Sequence, residues 1–284
     1  MTVVIGAALV WMLSFGLGFH PPEWFALFVL MWIPGLTSVV FRVVFREGFR
    51  DVGWRVGNLR SWAWAYIGPL ALASLSFLIA FLFGKVAVAP HLREQPMLDA
   101  TFFKLPWLAA DSSTIILLSQ RLVSVALLGI VPGFIFAFGE ELGWRGYLLP
   151  RLVQTGWRFP LLVSGIVWGV WHSPLFILTG YAHGAVGLSL VMFILLTSLF
   201  GVFIGWLRLK SGSVFVATMA HASFNGFVQS FFGASFAADA EWFWVGDYGF
   251  FILIPYGVLV AWLYRSKRVH DAVAELLIVR KNNS

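Results

Sequence analysis

Six polar residues stand out in an otherwise strongly apolar chain: Glu140, Glu141, Arg145, His172, His221 and Asn225. They lie in three stretches, "FGEELGWRGYLLP", "VWGVWHSPL" and "VATMAHASFNGF". A spacing of four residues pairs Glu141 with Arg145, Trp168 with His172, and His221 with Asn225 on a common helix face. Ionisable groups inside apolar segments are rare and costly, and they usually serve a function. A glutamate with two histidines can activate water in two ways. In the first, Glu140, His172 and His221 hold a divalent metal such as zinc, which lowers the pKa of bound water. In the second, Glu140 is itself the general base, and His221 and Asn225 donate hydrogen bonds to a tetrahedral oxyanion. Both schemes hydrolyse an amide bond.

Simpler roles exist for each residue alone. Glu141 with Arg145 serves equally well as a helix-end ion pair, and a lone membrane histidine is usually a packing residue. Two histidines, an asparagine and a glutamate pair, with nothing else ionised in the core, are harder to dismiss together. The remaining histidines (His20, His91, His183 and His270) fall in connections or in the tail, where solvation accounts for them. Other intramembrane protease chemistries lack their residues. The sequence has no His-Glu-x-x-His and no Gly-x-Ser-Gly, and no aspartate lies within an apolar span.

The elements that must position these groups are membrane helices. The 284 residues are 60% hydrophobic and 11% charged, whereas soluble domains carry about 25% charged residues. Runs of about 17–25 apolar residues mark spans. Eight are predicted, at roughly 2–19, 24–41, 62–84, 119–141, 160–179, 186–207, 213–233 and 248–264. The first has no positive leader and no small-residue cleavage site, so it is expected to be a helix, not a signal peptide. Connections 42–60, 142–159 and 208–210 and the tail after 264 are basic, whereas 180–185 and 234–247 contain no Lys or Arg. The positive-inside rule then puts both termini in the cytoplasm, most simply at the cell membrane. The fourth span is expected to close on the glutamates near the cytoplasmic edge. The 85–118 connection, the longest, is expected to form a small cap outside. Residues 46–60, with Trp54, read as an interfacial stretch.

The predicted fold is therefore all-α and polytopic. A single membrane domain covers 1–284, and its motif-bearing core covers about 119–233. The net charge of +6 fits basic cytoplasmic loops; without a basic helix or low-complexity tail it does not point to nucleic acid. Cysteine is absent, which removes thiol catalysis, thiolate metal sites and disulfides. Gly165 with Gly169, and Gly201 with Gly205, form small-xxx-small pairs suited to close helix packing.

Glu-Glu-x-x-x-Arg at 140–145, aromatic-x-x-x-His at 168–172 and His-x-x-x-Asn at 221–225 resemble, in order and spacing, the three motifs of the CPBP family. These are the CAAX prenyl proteases and bacteriocin-processing enzymes, also called the Abi family of intramembrane metalloproteases. Trp168 stands where that family commonly has phenylalanine. The resemblance implies an endopeptidase acting on a membrane-associated peptide or protein within the lipid bilayer. By resemblance, Glu140 activates water with His172 assisting, His221 and Asn225 bind the oxyanion, and Glu141 and Arg145 shape the site. Two other readings use the same residues. One is a catalytically silent scaffold of the same fold. The other is a transporter with these groups along an ion path, although no internal symmetry of two halves is visible.

Overall fold

Lipid offers a chain no hydrogen bonds, so its backbone must satisfy itself, and the helix does this within a single segment. The computed structural model describes residues 23–86, 114–178, 181–233, 235 and 242–281. Among them all regular structure is helical, apart from an isolated bridge between Trp54 and Ser213. The predicted span 2–19, the greater part of the 85–118 connection, and Asp239 and Glu241 lie outside the described residues.

In chain order the helices are α1 (Glu23–Val44), α2 (Leu59–Leu82), α3 (Thr114–Ser124), α4 (Ile130–Gly143), α5 (Leu149–Gln154), α6 (Pro160–Trp171), α7 (Ser173–Leu178), α8 (Val186–Ser211), α9 (Val214–Phe224), α10 (Phe250–Arg265) and α11 (Arg268–Lys281). Three π-helical segments interrupt the series, at Val125–Gly129, Trp144–Leu148 and Asn225–Gly233. Four stretches among the described residues are long and apolar enough to cross a bilayer: Leu27–Val44, Leu59–Leu82, Pro160–Leu178 and Val186–Ser211. Leu118–Leu127 and Ile130–Gln154 make a fifth if this pair, bent by 51°, counts as one. The protein is an all-α polytopic membrane protein.

Two boundaries differ from expectation. The fourth span does not close on the glutamates. From α4 the helical path runs through the π segment Trp144–Leu148 into α5, so it extends to Gln154. Glu140 therefore has about 20 Å of helix beyond it at 1.5 Å per residue. A hydropathy reading ends a span at its first charges, but here those charges are enclosed by protein. The fifth span breaks at His172, which caps the C-terminus of α6. Pro174 has no N–H to offer the carbonyl of Val170, and that carbonyl accepts the Ser173 hydroxyl instead, at 2.6 Å.

Close helix contacts bring the motif segments together. A Cβ on Gly165 would fall 2.6 Å from the Thr197 carbonyl oxygen, and one on Gly201 would fall 2.7 Å from the Gly165 Cα. Only glycines allow α6 and α8 to approach this closely. Gly139 and Gly143, on either side of the glutamates, do the same for α4 against α1. Cβ atoms there would meet the Trp32 Cα at 2.7 Å and the Pro34 carbonyl carbon at 2.6 Å.

The basic 45–58 connection folds back on the helix ends as a clasp. Arg42 donates to the Gly48 carbonyl (2.5 Å), to Asp51 (2.5 Å) and to the Gly146 carbonyl (2.8 Å). Arg208 donates to the Asp51 carbonyl at 2.8 Å, and Arg151 pairs with Glu47. The Val214 N–H donates to the Gly53 carbonyl at 2.9 Å, and Val52 packs with Leu142 and Val214. Trp54 is half exposed and lies against Phe138 and Phe215. The basic tail is not a loop but helix α11, which rests Val269 and Ala272 on the core.

Candidate active site

Glu140 and Glu141 are consecutive on α4, so their side chains point about 100° apart and enter different environments. Both are buried. Glu140 turns toward two indoles. Its Oε2 accepts from Trp168 Nε1 at 2.5 Å and, more loosely, from Trp144 Nε1 at 3.4 Å. Glu141 turns toward cations. Its Oε1 accepts from Arg145 Nη1 at 2.8 Å and from His221 Nδ1 at 2.9 Å. The expected pairing of Glu141 with Arg145 is present, and a second partner from α9 joins it.

Arg145 is fully enclosed although it carries a permanent charge. Its guanidinium lies 4.6 Å from the Trp168 ring centroid, a cation–π contact in a desolvated setting. A Cβ on Gly201 would come within 3.3 Å of Nη2, so the glycine of α8 leaves room for this arginine. Its Nε and Nη2, and Glu141 Oε2, make no hydrogen bond within the chain. A buried pair in this condition adds little to stability, but loss of one partner is costly.

The histidines are held in defined tautomers. His172 Nδ1 lies 2.9 Å from the Trp168 carbonyl, which can only accept, so Nδ1 carries the proton. That leaves Nε2 as the free edge. His172 packs among Trp171, Trp168 and Phe193, and it lies within electrostatic range of both Glu140 and His221. His221 Nδ1 faces a carboxylate and likewise donates, again leaving Nε2 free. Its ring meets Trp168 edge-on at 5.0 Å and lies against Phe200 of α8.

Asn225 is buried one turn beyond His221, at the first residue of the Asn225–Gly233 π segment. Arg145 sits in the π segment Trp144–Leu148. A π turn shifts the register of the residues beyond it, and such turns recur at functional sites. Contacts thus join Glu140, Glu141, Arg145, His172 and His221 through Trp168, and Asn225 stands one turn from His221.

Two contributors escape the sequence reading. Trp144 is four residues from Glu140, a spacing that could have revealed it. Tyr181 packs against Phe193, the neighbour of His172, and its hydroxyl donates to Asp247 at 3.5 Å. His183, expected to be merely solvated, lies 3.8 Å from Asp247 and stacks on Tyr248.

Residues 122–227 match the family model described as type II CAAX prenyl endopeptidase Rce1-like. These residues are similar to an Rce1-like domain. The match agrees with the CPBP resemblance, and all six motif residues fall inside it. No curated protein matches the chain. The Rce1-like family is one of CAAX endopeptidases, so the match supports an intramembrane endopeptidase activity in general terms. Metal dependence was the other scheme for activating water. Among the described residues no three His, Asp or Glu side chains are grouped closely enough to hold a metal ion. Both histidine Nδ1 atoms and one oxygen of Glu140 have partners within the chain. A donated Nδ1–H is the usual support of a histidine that ligates through Nε2, so any metal would be held through the two Nε2 atoms and Oε1 of Glu140.

Proposed function

We propose that the protein is an intramembrane endopeptidase that cleaves a peptide bond in a membrane-associated protein or peptide, with Glu140 as the base that activates water. The observation that carries this reading is the division of labour between the adjacent glutamates. Glu141 is committed to Arg145 and His221, whereas Glu140 is held by neutral indole donors through one oxygen only. Its Oε1 is left to take a proton.

In the proposed reaction, Oε1 of Glu140 removes a proton from water and the oxygen attacks the scissile carbonyl carbon. His172, with Nε2 as its free edge, assists by accepting a hydrogen bond from the same water. His221 and Asn225 donate to the oxyanion that forms. For this His221 must carry a proton on Nε2 as well as on Nδ1. Glu140 then returns its proton to the leaving amine as the carbon–nitrogen bond breaks. Glu141 and Arg145 act by holding His221.

The proposal includes eight spans in the cell membrane with both termini cytoplasmic. Beyond the five stretches already described, these are 2–19, the α9 to π-segment unit Val214–Gly233, and the 16-residue α10. The substrate would enter from the bilayer. The test is a proteomic comparison of membranes carrying wild-type protein or Glu140→Ala. A peptide cleaved only in the wild-type sample supports the proposal. Identical peptide profiles would favour a silent scaffold of the same fold.

A further inference from the structure

Trp168 touches four of the six motif residues. Its indole Nε1 donates to Glu140 Oε2 at 2.5 Å, and its ring lies 4.6 Å from the Arg145 guanidinium. The same ring meets His221 at 5.0 Å, and the Trp168 backbone carbonyl accepts from His172 Nδ1 at 2.9 Å. We propose that Trp168 is a positioning residue whose indole N–H fixes the Glu140 carboxylate and aims its other oxygen at the attacking water. This inference rests on the endopeptidase reading above.

The N–H and the ring of Trp168 have separable roles. A phenylalanine at 168 would keep a face for Arg145, an edge for His221 and the backbone carbonyl for His172. It would lose the donor and the volume of one ring of a buried indole, and the sulfur analogue below separates the two. Oε2 would then rely on Trp144 Nε1 at 3.4 Å, a weak contact. The terminal torsion of a glutamate is soft and roughly two-fold, so a carboxylate without a firm donor swings about its own axis. Hydrogen bonds to charged acceptors are the strong ones, and they matter most in a desolvated site. The donors on Oε2 come from two elements, Trp168 on α6 and Trp144 one turn along from Glu140 itself. The carboxylate is therefore referenced to the helix that also carries His172. Charged or titratable groups facing Glu140 are Arg145 and Glu141 along its own helical path, His172 on α6 and His221 on α9. None of these replaces a neutral donor on Oε2, because each either serves another partner or carries charge.

The test uses the full-length protein in membranes. Trp168→Phe should stay folded and lower kcat by about 10- to 100-fold on the peptide identified with Glu140→Ala, as a displaced catalytic group does. KM should move less than about twofold, because the indole touches the base and not the substrate. A tryptophan analogue with sulfur in place of the ring N–H should show the same fall while keeping the ring shape. Trp144→Phe should fall less than about fivefold, in line with its longer contact. A substrate-free readout is the indole proton of Trp168 in nitrogen-15-tryptophan-labelled protein, identified by its loss in Trp168→Phe. Its resonance should move upfield in Glu140→Gln, where the acceptor is neutral. If Trp168→Phe does not fold, the sulfur analogue decides the matter, and its missing N–H identifies the Trp168 resonance. Wild-type kcat in either variant, or an indole resonance indifferent to Glu140→Gln, would overturn this inference alone. Full cleavage by Glu140→Gln would instead overturn the endopeptidase mechanism on which it rests.

Discussion

Two regions of this protein pair arginine with carboxylate, and they do so in opposite ways. In the clasp, the carboxylates of Asp51 and Glu47 are about one-third exposed. There the arginines spend much of their hydrogen-bonding capacity on backbone carbonyls: Gly48 and Gly146 for Arg42, Asp51 for Arg208 and Tyr147 for Arg151. At the site, Glu141 and Arg145 are both fully enclosed, and each leaves side-chain atoms without a hydrogen bond in the chain. The clasp uses charge to tie chain segments together where water can share the load. The site uses charge to hold another side chain, His221, where water cannot. A bonding pattern that ties down backbone reads as architecture. One that spends a buried ion pair on orienting a histidine reads as chemistry.

Breaking each pair should expose that difference. Arg145→Ala leaves Glu141 enclosed and without its guanidinium, which typically costs about 3–5 kcal/mol. Thermal melting of the purified protein should show a large drop or no folded material. A variant that melts like wild type would erase the distinction between the two regions. Gly201→Val is next in size. Its Cβ would press on Gly165 and crowd Arg145 Nη2, so about 1–3 kcal/mol of overpacking is expected. Activity should fall with stability, because the guanidinium and Trp168 shift together. Arg151→Ala is the smallest. Its pairing with Glu47 at the surface should contribute about 0.2–1 kcal/mol, and cleavage should stay at the wild-type rate. A melting drop comparable to that of Arg145→Ala would make the clasp as critical as the site.

The sequence alone revealed the membrane class, the motif residues and the local pairs four apart. Glu141 with Arg145, and His221 with Asn225, follow from helix periodicity alone. The partners that matter most do not. Glu141 meets His221 across 80 positions and Trp168 meets Glu140 across 28, and no local spacing encodes such contacts. The end of the fourth span was misplaced for a related reason. Hydropathy counts charges as if each faced lipid, and Glu140, Glu141 and Arg145 face protein. The π segments also escaped notice, because one extra residue per turn barely alters an apolar pattern without polar faces to mark it. The tail helix α11 was hidden by its charges, which suit a helix lying on the surface as well as they suit a loop.

The central claim is that Glu140 is the base and Glu141 is its structural neighbour. The direct test compares kcat and melting temperature for Glu140→Gln and Glu141→Gln on one identified peptide. An amide oxygen at 140 can still accept from both indoles, and removing a buried charge relieves its desolvation. Glu140→Gln should therefore lose about 10²–10⁴ in rate, the usual cost of a lost general base, with a melting temperature at or above wild type. Glu141→Gln should lower the melting temperature, because Arg145 and His221 lose their charged partner. Full cleavage by folded Glu140→Gln, or unfolding of that variant with Glu141→Gln unaffected, would contradict the account.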